Sequence, residues 1–127
     1  MKISRQVQSG VAVLSLEGDF IGEMDRSNLS SNVQDLLADG NRWFVVDLRA
    51  VHHINSSGLG SLVSTLTTLR KAGGDLRLAC ANPGVRSLFE MTQLIRVFDF
   101  HDTMEHALAG YGTAGRQAPT GPGTTRS

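Results

Sequence analysis

"HHINSSGLGSL", residues 52–62, holds two adjacent serines and two glycines where an apolar strand signal passes into a helical one. Ahead of it, Trp43 to Leu48 (WFVVDL) is an apolar run broken only by Asp47, which suits a strand buried on both faces. Behind it, Leu59, Leu62, Val63, Leu66 and Leu69 share one helical face that ends at Lys71 and the Gly73-Gly74 break. Asn55, Ser56 and Ser57 are all N-cap formers, so the helix begins among them. Glycine costs a helix interior about 1 kcal/mol relative to alanine. Gly58 and Gly60 therefore imply that something approaches this corner closely, and the expectation is that they leave room for a partner.

Working outward, the same alternation of strand and helix continues on both sides. Residues 2–7 alternate weakly, Val11 to Leu16 (VAVLSL) is nearly continuous, and Ser9-Gly10 is the turn between them. Gly18-Asp19 ends the second strand; Leu29, Val33, Leu36 and Leu37 then mark a helix, with Asp25 as its expected N-cap and Gly40 as its stop. Leu76, Leu78 and Cys80 alternate with polar neighbours as a strand. Asn82-Pro83 supplies a cap and a first helical residue, with Val85, Leu88 and Phe89 facing inward. Ile95 to Phe100 reads as a last short strand, and Asp102 with Glu105 resembles a capping box opening a last helix. The order β-β-α-β-α-β-α-β-α predicts an α/β fold: a mixed sheet of four to five strands with about four helices packed on it. Residues 1–110 make one domain, and 111–127 (YGTAGRQAPTGPGTTRS) have the composition of a disordered tail.

At 127 residues the chain can bury one core. Twelve basic and twelve acidic side chains cancel, so no electrostatic drive toward nucleic acid or an anionic membrane is expected. No apolar run reaches the roughly 18 residues of a spanning helix, and the first residues lack a signal-peptide apolar region. The single cysteine, Cys80, suits a reducing compartment. A cytoplasmic protein is expected.

Catalytic readings of the corner fail on their own requirements. A dinucleotide loop needs a third glycine where Val63 stands, and no lysine follows for a Walker-type loop. A nucleophile elbow built on Ser56 needs a glycine where Ile54 stands, whatever His101 or His106 could add to a triad. His52 and His53 point to opposite sides of an extended chain, one packed and one solvated, and no ligand cluster accompanies them. No metal and no cofactor is expected. Cys80 reads as a small buried hydrophobe and Trp43 as core. The serines stand apart: one capping residue suffices for a helix, whereas a hydroxyl at a helix start can also accept a phosphate, whose charge the free N–H groups and dipole tolerate.

With those motifs together, the segment from Val45 to Phe98 resembles the heart of a STAS domain of the anti-anti-sigma factor family. In that family a buried strand leads into D-S-S-G-L-G or D-S-T-G-L-G. An amphipathic helix, a G-G turn, a strand and a P-x-V-x-x-L-F/L-x-x-x-x-L helix follow, matched here by Gly73-Gly74, Pro83, Val85, Leu88, Phe89 and Leu94. Gly18-Asp19 is similar to the family's G-E/D-L-D element, and the likeness spans about residues 3 to 109. The resemblance implies a non-enzymatic binding module, an anti-sigma factor antagonist regulating sigma-factor-dependent transcription. Its partner would be a serine-kinase anti-sigma factor of the histidine-kinase-like ATPase fold. That kinase would inactivate it by phosphorylating Ser56, and a PP2C-type phosphatase would restore it. Asn55, Ser56, Ser57, Gly58, Leu59 and Gly60 would form the partner-binding motif, with Asn55 standing where the family usually has Asp. The alternative is a STAS scaffold or accessory subunit, stressosome-like or transport-associated, using this surface without phosphorylation.

Overall fold

Ser9 and Gly10 both take positive φ, 53° and 81°, the two-residue turn whose twist suits a hairpin. They join β1 (Lys2–Gln8) to β2 (Val11–Phe20) antiparallel, with Gln8 opposite Val11. In the computed structural model, which describes residues 1–111, α1 (Glu23–Ala38), β3 (Trp43–Ile54), α2 (Ser56–Lys71), β4 (Asp75–Ala79), α3 (Pro83–Met91), β5 (Asp99–His101) and α4 (Met104–Leu108) follow. The five strands lie in sequence order, and β2 through β5 run parallel. The mixed α/β sheet with four helices is thus the expected architecture.

The pleat sends alternate residues to opposite faces. Ala12, Leu14, Leu16, Phe44, Val46, Leu76 and Leu78 pack under α1, α2 and α3 through Leu29, Val33, Leu62, Leu66, Leu69, Val85 and Phe89, all buried. The other face is smaller. Val11, Val13, Val45 and Ala79 are covered by Ala107 of α4 and by Tyr111. Tyr111 is only 5% exposed, 5.7 Å from the Trp43 ring, with the Arg77 guanidinium 3.9 Å over its face. It belongs to the fold, and the reading of a disordered tail must start later; residues 112–127 lie outside the described residues.

Several boundaries differ from those expected, each for a local reason. β3 runs to Ile54 rather than Leu48 because two bulges, opposite Ser15/Glu17 and Gly18/Asp19, each insert an extra residue. Leu48, Val51 and Ile54 therefore reach the core at intervals of three, a spacing no period-two pattern detects. β2 likewise continues through Gly18, which takes φ +107°. Gly22, not Asp25, is the N-cap of α1; Asp25 sits three residues on and accepts from the Gly22 and Ile21 N–H groups at 3.0 and 3.1 Å. Thr103, not Asp102, caps α4 by accepting from the His106 N–H at 3.0 Å. Ile95 and Arg96 form a 3-10 turn (Leu94–Arg96) and the last strand begins at Asp99. Cys80 has left the strand, half-buried at φ +63°, with Sγ 3.5 Å from an Arg49 guanidinium nitrogen.

Candidate functional site

The handover from β3 to α2 occurs at Asn55, whose extended backbone (φ −113°, ψ −175°) makes it the N-cap. Its side-chain oxygen accepts from the Gly58 N–H at 3.0 Å, and its carbonyl accepts from the Leu59 N–H at 2.9 Å. The N–H groups of Ser56 and Ser57 stay without intrahelical acceptors, as the first positions of any helix must. No acidic residue lies in the first turn of α2, while Arg70 and Lys71 occupy its last. The positive end of this dipole is therefore uncompensated, and a negative group added to Ser56 would meet free N–H donors. Ser56 is exposed and Ser57 half-buried.

The two glycines of the motif have different causes. A β-carbon on Gly58 would lie 2.5 Å from the Phe20 carbonyl oxygen and 2.8 Å from Ile54 Cγ1. Gly58 is buried and exists so that α2 can rest on the end of β2. The expectation that it leaves room for a partner is corrected by this contact. Gly60 is exposed, and a β-carbon there would meet nothing within 4 Å. Leu59 is in the core at 3% exposed. Of the six motif residues, Asn55, Ser56 and Gly60 lie on the surface, Ser57 partly so, and Gly58 and Leu59 serve packing.

A neighbour that sequence patterning missed completes the corner. Ile21 and Met24, between β2 and the first turn of α1, are 48% and 82% exposed. The Asn55 side-chain amide donates to the Ile21 carbonyl at 3.0 Å. Only the long-range path of the chain brings Ile21, and the start of α1 that follows it, against Asn55, the residue before Ser56. His52 and His53 are both exposed, rather than one packed, because the second bulge displaces them at the strand end. His53 Nδ1 stands 3.2 Å from Asp19 Oδ1.

Nothing assembles around the catalytic alternatives. His101 lies on the far side of the sheet, its Nε2 3.1 Å from Asp99 Oδ1 though not aligned for a hydrogen bond, and His106 is in α4. Among the described residues no three His, Cys, Asp or Glu side chains are grouped to hold a metal, and no helix is long and apolar enough to cross a membrane. A shallow polar cleft of about 160 Å³ between α1 and α2, lined by Arg26, Ser30, Ser61 and Thr68 among others, is below the roughly 300–1,000 Å³ of small-molecule sites. Asp25, beneath the Ile21–Met24 segment, has its pKa lowered, chiefly by the Met1 ammonium hydrogen-bonded at 3.0 Å and further by the Ile21 and Gly22 N–H groups, against a smaller opposing effect of burial.

Comparison with known proteins gives a consistent picture. The family model that matches is the STAS domain, over residues 2–107. A Bordetella bronchiseptica protein provisionally named an anti-sigma factor antagonist, BtrV, is 27% identical over 114 residues, covering 90% of this chain and 97% of that protein. The crystal structure of an anti-sigma factor antagonist from Mycobacterium paratuberculosis is 28% identical, covers 86% of this chain and 92% of its own, and superposes with a TM-score of 0.75. The Bacillus cell fate determinant SpoIIAA, solved in its phosphorylated form, shares the fold at 17% identity and a TM-score of 0.66, covering 85% of this chain and 97% of that one.

Proposed function

Because this chain belongs to the STAS domain family, we propose that it is an anti-sigma factor antagonist switched by phosphorylation at Ser56. As a member of that family it acts by binding rather than by catalysis. Its partner in this reading is a serine-kinase anti-sigma factor of the histidine-kinase-like ATPase fold, met in the cytoplasm, and binding frees a sigma factor for transcription. The observation that carries the reading is the exposed Ser56 at the first position of a helix whose own first turn holds no acidic residue.

The physical sequence follows from that position. Phosphate adds about −1.5 to −2 charges at pH 7. The dipole of α2 favours that charge by about 0.3–1 kcal/mol, so the fold survives modification. Against a partner's surface the same charge must shed water without a prepared basic pocket, at a cost of several kcal/mol. A penalty of only about 3 kcal/mol lowers affinity more than a hundredfold. Removal of the phosphate by a PP2C-type phosphatase resets the switch. Residues 1–110, extended by the packed Tyr111, form the working domain.

The test is incubation with ATP and a serine-kinase anti-sigma factor of the histidine-kinase-like ATPase fold that binds this chain, followed by intact mass and phosphosite mapping. One phosphate on Ser56, absent from Ser56→Ala, is the expected result. A phosphate found only elsewhere rejects Ser56 as the switch. Tight binding of a partner with no phosphorylation at all would make the chain a STAS scaffold or accessory subunit instead.

A further inference from the structure

We infer that Asn55 is a positioning residue, clamping the Ile21–Met24 segment to the start of α2 so that Ile21, Met24 and Ser56 meet a partner as one surface. This rests on the docking role proposed above. The side chain makes two bonds of opposite kind at once: its oxygen accepts from the Gly58 N–H at 3.0 Å, and its amide nitrogen donates to the Ile21 carbonyl at 3.0 Å. Those two partners fix the amide orientation, since each tolerates only one end of it. A carboxylate accepts but cannot donate, so an aspartate here would keep the cap and turn a second oxygen toward the Ile21 carbonyl. A serine would keep the cap and fall short of Ile21.

The other side of the Ile21 peptide is held as well. Its N–H and that of Gly22 donate to Asp25, whose other oxygen takes the Met1 ammonium at 3.0 Å. The backbone of this segment is thus satisfied by side chains from both directions, while the Ile21 and Met24 side chains face solvent. Ordering backbone beneath exposed apolar groups lowers the entropy lost when they dock. The same device occurs at the next corner, where Asn82 accepts from the Val85 N–H at 2.8 Å and donates to the Val51 carbonyl at 2.9 Å. There it replaces the pairing that β4 cannot supply beyond Ala79. At Asn55 the bonded segment is instead the junction of β2 with the first turn of α1, which carries two exposed apolar side chains.

Amide-exchange protection of Ile21, Gly22 and Gly58, measured by NMR on the isolated chain and on Asn55→Asp and Asn55→Ser, tests the clamp. At neutral pH both variants should keep Gly58 protected and lose about threefold to tenfold of the protection at Ile21 and Gly22, the worth of one exposed hydrogen bond. Acidification should restore that protection in Asn55→Asp alone, because a protonated carboxyl donates and accepts as the amide does. Asp25 and Glu23 on α1, Asp19 on β2, His53 on β3 and the Met1 ammonium also face this corner. Asn55→Ser and the parent carry the same groups, which makes those chains the controls. With the ATP-dependent kinase used above, the variants should show a several-fold higher KM as substrates with kcat unchanged. Equal protection in parent and Asn55→Asp at neutral pH overturns the inference, as does a loosened segment with unchanged KM. Lack of phosphate on Ser56 of the parent refutes the proposed function instead, and is read before any variant is compared.

Discussion

Adding one methyl group at residue 58 separates packing from docking in the S-S-G-L-G motif. In Gly58→Ala the new carbon starts 2.5 Å from the Phe20 carbonyl oxygen and 2.8 Å from Ile54 Cγ1, where ordinary contact begins at 3.4 Å. The Ile54 methylene is part of a side chain and can turn; the Phe20 oxygen is backbone at the last pair of the β2–β3 ladder and receives the Asn55 N–H. The start of α2 must therefore lift by nearly an ångström, which weakens the contacts of Leu59 and Leu62 with the sheet. Overpacking of this kind costs about 1–3 kcal/mol, offset by at most about 1 kcal/mol of helix propensity. A net loss of about 1–2 kcal/mol is expected, a fall in Tm on the order of 5–10 °C for a domain of this size. Gly60→Ala meets nothing within 4 Å and should instead stabilise by about 0.5–1 kcal/mol. Urea unfolding followed by circular dichroism on the two variants gives both values from one assay. If Gly58→Ala proved as stable as Gly60→Ala, the close approach of β2 to α2 would not be the reason for Gly58, and the docking explanation of both glycines would return.

Other outcomes follow from the same geometry. Ser56→Asp should unfold like the parent yet bind the kinase more than a hundredfold more weakly, whereas Ser56→Ala should bind and resist phosphorylation; calorimetric titration of both decides, and tight binding by Ser56→Asp would reject the switch. Tyr111→Ala should lose roughly 3 kcal/mol by emptying the space between Trp43 and Arg77, while Tyr111→Phe, which keeps the ring under the guanidinium and removes a buried hydroxyl, should stay within about 1 kcal/mol of the parent. A chain ending after Tyr111 should melt with the full-length protein, and one ending before it should melt lower. Asp25, whose pKa is lowered in the folded state, contributes stability that is present above its unfolded value near 3.8 and is lost as pH falls through the lower folded one. Asp25→Asn should accordingly flatten the acid limb of a stability profile below about pH 4 and destabilise the protein at neutral pH.

Element order, the α/β class and the serine at the corner were legible in sequence because each rests on local chemistry. Helical faces repeat every three to four residues, as from Leu59 to Leu69, and Asn-Pro or Ser-Gly pairs mark starts and turns through their own backbone preferences. Asn55 and Asn82 cap their helices as residue type alone implies. What depended on distant chain was not legible. The bulges in β3 exist because β2 lies alongside, and they hid the last turn of core contacts, Val51 and Ile54, behind a three-residue spacing. Tyr111 looks like the first residue of a Gly/Thr/Pro-rich tail until Trp43 and Arg77, far apart in sequence, are brought together to sandwich it. The glycines at 58 and 60 carry the same propensity and the same expected cost, yet one faces the Phe20 carbonyl and the other faces solvent. Sequence by itself determined which helix carries the serine. Tertiary structure decided what stands around it, because Phe20, Ile21 and Met24 reach that corner only when β2 pairs with β3, and no local pattern encodes a contact made across more than thirty residues.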